Sequence, residues 1–194
     1  MPVKIAFLGW GSLLWEGGKE FDRWHEPWSN DGPPLTIEFS RISQSRSGAL
    51  TLVIDQEHGN PVCVAWCLSK RESMHEAACD LHSREGTTLT NIAQLVIKPQ
   101  VVRGDSEDPI ISWARTKQLS CVVWTALSSN FEKKRGQPFS VSAATSYLKS
   151  LGPASQAKAI EYIRRAPTFV KTNLRTSLQS DPWFSEEDSL HSPK

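Results

Sequence analysis

Hydrophobic periodicity changes once along this chain, and the change fixes the class of fold it can adopt. Up to residue 127 the apolar side chains gather in short, strand-length runs. From Ser140 onward they recur every three to four residues. A first half rich in β-structure and a helical last third read as mixed α/β.

The spacing predicts a first strand over residues 3–8, where Val3, Ile5 and Phe7 alternate with Lys4, Ala6 and Leu8. Further strands are expected over 35–41, 49–55 and 61–68, the last two joined as a hairpin by the turn residues of 55–60. Ser69-Lys70-Arg71-Glu72 fits a capping box, so a helix is expected to start there. Met74, Ala77, Ala78 and Leu81 supply its buried stripe, and it should end near 83–86. A second β region follows over 88–97. The strand over 118–127 reads as central, because Cys121-Val122-Val123-Trp124 has no alternation. Residues 104–109 read as an exposed acidic loop.

In the last third, Val141, Ala144, Leu148 and Leu151 mark a helix with Gly152 as its C-cap. Pro153 suits the first turn of a second helix carrying Ile160 and Ile163, and Pro167 ends it. Thr168 is placed to cap a third, with Val170, Leu174 and Leu178 on one face. Residues 1–180 are expected to form a single domain, and the polar 181–194 a flexible tail.

The 22 basic residues nearly match the 21 acidic ones, giving a formal charge of +1. Such a chain has no general field to gather nucleic acid, and no run approaches the roughly 20 apolar residues that span a bilayer. The apolar run at 3–8 is too short for a signal-peptide core, so a cytoplasmic protein is expected. The four cysteines read as reduced: Cys63 and Cys67 on one strand would stand about 13 Å apart, beyond disulfide reach. His75, Cys79 and His82 share a helix face, but no second cluster completes a metal site, and the expectation is no metal and no cofactor. Oligomeric state is not legible.

Two segments carry chemistry. Leu8-Gly9-Trp10-Gly11-Ser12-Leu13-Leu14-Trp15 directly follows the first strand, and its glycines can leave main-chain amides uncovered as an anion-binding concavity. Leu14 stands where a dinucleotide fingerprint needs its third glycine and where a nucleophile elbow needs its second. The other segment is His82-Ser83-Arg84-Glu85-Gly86, a carboxylate beside a glycine at a helix-to-strand junction.

Together these segments resemble the gamma-glutamylcyclotransferase family, in particular its glutathione-degrading branch. Phe7 to Trp15 is similar to that family's Tyr-Gly-Ser-Leu motif, and Ser83-Arg84-Glu85-Gly86 to its catalytic segment. Phe39-Ser40-Arg41, Leu50-Thr51-Leu52-Val53, Val62-Cys63-Val64-Ala65-Trp66, Leu151-Gly152-Pro153 and Glu161-Tyr162-Ile163 follow in the family's order, over roughly residues 3 to 178. Trp10 stands where the family usually has Tyr.

The resemblance implies a twisted, partly closed β-barrel with flanking helices. It also implies a cofactor-independent reaction, in which a gamma-glutamyl amide (glutathione or a gamma-glutamyl amine) closes to 5-oxoproline and expels its amine. Glu85 would be the catalytic acid/base. Gly9, Trp10, Gly11, Ser12 and Leu13 would bind the substrate's α-carboxylate, with Arg41 or Arg46 balancing its charge and Tyr162 as a further substrate contact. Ring closure is intramolecular, so holding the attack geometry alone supplies an effective molarity of roughly 10⁵ M or more. Two alternatives stand beside this reading: a ligand-binding module of the same fold that has lost its catalysis, and a dinucleotide-binding oxidoreductase.

Overall fold

The computed structural model describes residues 3–98 and 108–186. In chain order its elements are β1 (Ile5–Gly9), β2 (Pro34–Ile42), β3 (Leu50–Ile54), β4 (Asn60–Cys63), β5 (Ala65–Leu68), α1 (Met74–Glu85), β6 (Ile92–Val96), α2 (Pro109–Thr116), β7 (Cys121–Thr125), α3 (Phe131–Arg135), α4 (Val141–Ser150), α5 (Pro153–Arg165), α6 (Asn173–Gln179) and α7 (Pro182–Glu186). The class is mixed α/β. Within the stretch read as one domain, contacts group the chain into two compact units: Met1–Leu35 with Val62–Leu127, and Thr36–Pro61 with Ser128–Lys194.

The first unit is built on a four-stranded sheet ordered β5-β1-β7-β6. β1 lies inside it, antiparallel to β5 and parallel to β7, and all five of its residues are buried. The expected alternation is therefore overridden: Ala6 and Leu8 are as buried as Ile5 and Phe7, as an interior strand covered on both faces requires. β7 is central, as its unbroken apolar run predicts.

α1 lays Ala77, Ala78 and Leu81 against Ile5, Phe7 and Val123, and the half-buried Met74 completes the stripe. Full burial of a side chain such as Leu81 contributes about 1.5–3 kcal/mol. The helix begins four residues later than the Ser69 motif suggests. Ser69 is bound into the sheet, its amide donating to the Ile5 carbonyl and its hydroxyl accepting from the Arg71 amide. Ser73 is the N-cap, accepting from the Glu76 amide.

The second unit holds a three-stranded sheet ordered β3-β2-β4. The hairpin expected between 49–55 and 61–68 does not form. β3 and β4 flank β2 on opposite sides, and the predicted long strand breaks at Val64, whose amide and carbonyl bond Pro33 and Gly32. Among the described residues the strands thus pair into two open sheets, and their ladders trace no closed barrel.

Helices α3 to α7 complete this unit, α5 packing on β3 and α6 on α4 and α7. Gly152 is not the C-cap of α4. With φ −65° it is the N-cap of α5, and Pro153 takes the first helical position. The cap of α6 is Thr172, accepting from the Arg175 amide, rather than Thr168. Residues 181–186, read as the start of a tail, carry α7 with Phe184 buried.

Glu38 on β2 is fully buried. It accepts from the Phe39 amide at 2.7 Å and from the Leu174 amide at 3.2 Å. Of the expected acidic loop, 104–107 lie outside the described residues. Asp108 and Pro109 open α2, the aspartate capping the Ile110 amide at 2.7 Å. Among the described residues no helix is long and apolar enough to cross a membrane.

Candidate active site

β1 ends at Gly9, and the chain passes through Trp10 and Gly11 into one 3₁₀ turn, Ser12–Leu14. Trp10 and Leu13 are buried, so two large side chains anchor the loop on either side of the half-buried Gly11 and Ser12. A Cβ on Gly9 would sit 3.0 Å from Leu14 and from the Trp28 ring, which explains glycine at that position. The loop closes on itself through Leu14 N–H to Gly11 O and Trp15 N–H to Ser12 O, at 3.0 and 3.2 Å. Among the described residues the amides of Gly11, Ser12 and Leu13 donate no hydrogen bond, nor does the Ser12 hydroxyl. These are the donors the sequence singled out for a carboxylate.

Glu85 is the last residue of α1, with a side chain 20% exposed. Gly86 follows in the left-handed region (φ 58°), and its amide closes the helix on the His82 carbonyl at 3.0 Å. The negative end of a helix dipole disfavours a carboxylate by about 0.3–1 kcal/mol, so local stability does not account for a glutamate there.

Arg84 offsets that cost and joins the two segments. Its Nη1 lies 3.3 Å from Glu85 Oε1, while its Nη2 donates to the Ser12 carbonyl at 3.0 Å and also to the Glu16 carbonyl. The Arg84 side chain is 11% exposed, so a nearly buried guanidinium holds the Glu85 carboxylate and the turn of the glycine loop on one planar group. Sequence reasoning placed Arg84 only within a motif; its reach of 72 residues back along the chain belongs to the tertiary structure.

The other expected contacts belong to the second unit. Arg41 Nη1 donates to the Ser128 carbonyl at 2.8 Å. Tyr162 is buried, edge-on to Phe39 at 6.2 Å, with the Arg46 guanidinium 4.8 Å above its ring. Thus Gly9 to Leu13 and Glu85 share one unit and are tied together through Arg84. Arg41 and Tyr162 are held in the other unit by partners of their own.

His75 Nε2 and Cys79 Sγ approach to 3.7 Å on α1, and among the described residues no group of three or more side chains is placed to hold a metal. The four cysteines are free. Cys63 and Cys67 fall on different strands, β4 and β5. No α-helix follows β1, so the strand–turn–helix of a dinucleotide site is not formed at Gly9 to Leu14.

No protein-family model matches this chain, and no curated protein or solved structure matches it either.

Proposed function

We propose that this protein is a gamma-glutamylcyclotransferase-type enzyme: it cyclises a gamma-glutamyl amide to 5-oxoproline and releases the amine, with Glu85 as acid/base. The observation that carries the reading is the Arg84 bridge. One guanidinium ties a carboxylate at a helix end to a loop whose Gly11, Ser12 and Leu13 amides are uncommitted. The finer, gamma-glutamylcyclotransferase-like fold is part of the same proposal.

The chemistry needs an anion site and one proton shuttle. The loop amides and the Ser12 hydroxyl take the substrate's α-carboxylate, fixing the α-amine beside its own γ-carbonyl. Glu85 removes a proton from the α-ammonium, and the freed lone pair attacks the γ-carbon to close the five-membered lactam. The proton held on Glu85 then passes to the departing amine as the C–N bond breaks, and the regenerated carboxylate takes the second proton from the attacking nitrogen and gives it up to solvent or to the released amine, leaving the neutral lactam. Arg84 keeps that carboxylate in place through these transfers.

The test is 5-oxoproline release from a panel comprising glutathione, gamma-glutamyl amino acids and gamma-glutamyl amines. Turnover of at least one compound supports the reading. If none turns over while one binds saturably, the protein is the catalysis-free binding module instead.

A further inference from the structure

A second concavity lies on the first unit, about 640 Å³ in volume, between the segment 16–24 and one face of α1. Asp80, Ser83 and Arg84 form the helical wall at positions i, i+3 and i+4. Glu85, the next residue, does not line the cleft, although its carboxylate lies 3.3 Å from the Arg84 guanidinium that does. The opposite wall is the turn Gly17-Gly18-Lys19 ahead of Phe21 and Trp24.

The polar groups of this cleft are unequally matched. Two of its acidic side chains have cationic neighbours, Asp80 taking Arg71 at 2.8 and 2.9 Å and Glu20 lying 3.2 Å from Arg23, and the Asp22 carboxylate beside Gly17 lies 3.4 Å from His25 Nε2. Arg71 is further fixed with its guanidinium 3.5 Å over the Trp24 ring. The donors lack partners. Among the described residues, the consecutive amides of Gly17, Gly18 and Lys19 donate to nothing, the Lys19 ammonium has no ion pair, and the Ser83 hydroxyl has no hydrogen bond.

Successive uncommitted amides beside an ammonium and a hydroxyl form the donor set of an oxyanion site. We propose that this cleft binds a small anion-bearing ligand, through a phosphate or carboxylate group held by Lys19, Ser83 and the Gly17-Gly18-Lys19 main chain. The reaction proposed above shares the Arg84 wall with this cleft but does not use Lys19, Ser83 or the Gly17-Gly18-Lys19 main chain, so variants at Lys19 and Ser83 test this site separately from it.

Calorimetric titration of the full chain tests this, with inorganic phosphate and, separately, succinate, each against sodium chloride of equal ionic strength. At least one probe should bind saturably at about 1 mM or tighter. Lys19→Ala and Ser83→Ala, both at exposed positions, should each weaken binding by about three- to tenfold, and Lys133→Ala on α3 should leave it within about twofold. Saturation by phosphate alone assigns a phosphorylated ligand, and by succinate alone a carboxylate. Saturation by neither probe, or wild-type affinity in Lys19→Ala, overturns the proposal.

Discussion

Arg84 and Glu38 show how a single charged side chain can organise a site or a core. Arg84→Lys keeps a charge but loses the planar fork that reaches the Ser12 and Glu16 carbonyls together with Glu85. The expected outcome is a loss of about 1–3 kcal/mol in denaturant unfolding and a fall in kcat larger than any change in KM. A purely structural role would lower stability and leave kcat of the folded enzyme unchanged.

Glu38 gives a prediction in pH. Burial lifts its carboxyl above the ordinary value of 4.5, against the opposing pull of the Thr172 hydroxyl and the Phe39, Leu174 and Asn173 amides. The folded state therefore holds this proton more tightly than the unfolded chain. The contribution to stability is complete below about pH 4.5 and declines as pH rises through the raised folded value. Glu38→Gln removes that decline, so its unfolding midpoint should show a flatter pH dependence than wild type over this window. Parallel slopes would contradict the assignment. Neither residue was legible beforehand. A glutamate within Ile37-Glu38-Phe39 reads as the outward member of an alternating strand, and nothing local indicates that α6 will cover it.

Among the elements, the sequence marks helix interiors better than helix ends. Met74, Ala77, Ala78 and Leu81 define α1 by their spacing, because a buried stripe needs that period wherever the helix begins. Ser69 and Ser73 are both good caps in isolation, and the choice between them falls to the β-sheet, which claims Ser69 through Ile5. The cap of α6 likewise falls at Thr172 rather than Thr168, and Gly152 opens α5 instead of closing α4.

Ser73→Ala should cost about 0.5–1 kcal/mol, at the low end for a cap because its bond to the Glu76 amide is long at 3.5 Å. Leu81→Ala, in the middle of the stripe, should cost about 2–5 kcal/mol by thermal or urea unfolding. Strand pairing was the least legible feature. Apolar runs identify strands, but partner choice depends on β2 inserting between β3 and β4, which no local pattern encodes.

For the whole molecule, the mixed α/β class follows from the single change of period, whereas the grouping into two units leaves no such trace. Two of the three boundaries fall inside β2 and β4, beside Gly32-Pro33-Pro34 and Gly59-Asn60-Pro61, which read as turns within one domain, and the third follows β7 at Leu127. The glycine loop and Glu85 could be singled out as candidates because their residue types are unusual where they stand: two glycines flanking Trp10 directly after a strand, and a carboxylate beside a glycine at the end of a helix.

The central claim is that Glu85 moves the proton. The direct measurement is the steady-state rate of 5-oxoproline formation by wild type and Glu85→Gln on the best substrate of the panel. Glutamine preserves size and hydrogen-bonding shape but cannot accept a proton from an ammonium. The account predicts a fall in kcat of about 10²- to 10⁴-fold with little change in KM. A Glu85→Gln enzyme that turns over within a few-fold of wild type would contradict it.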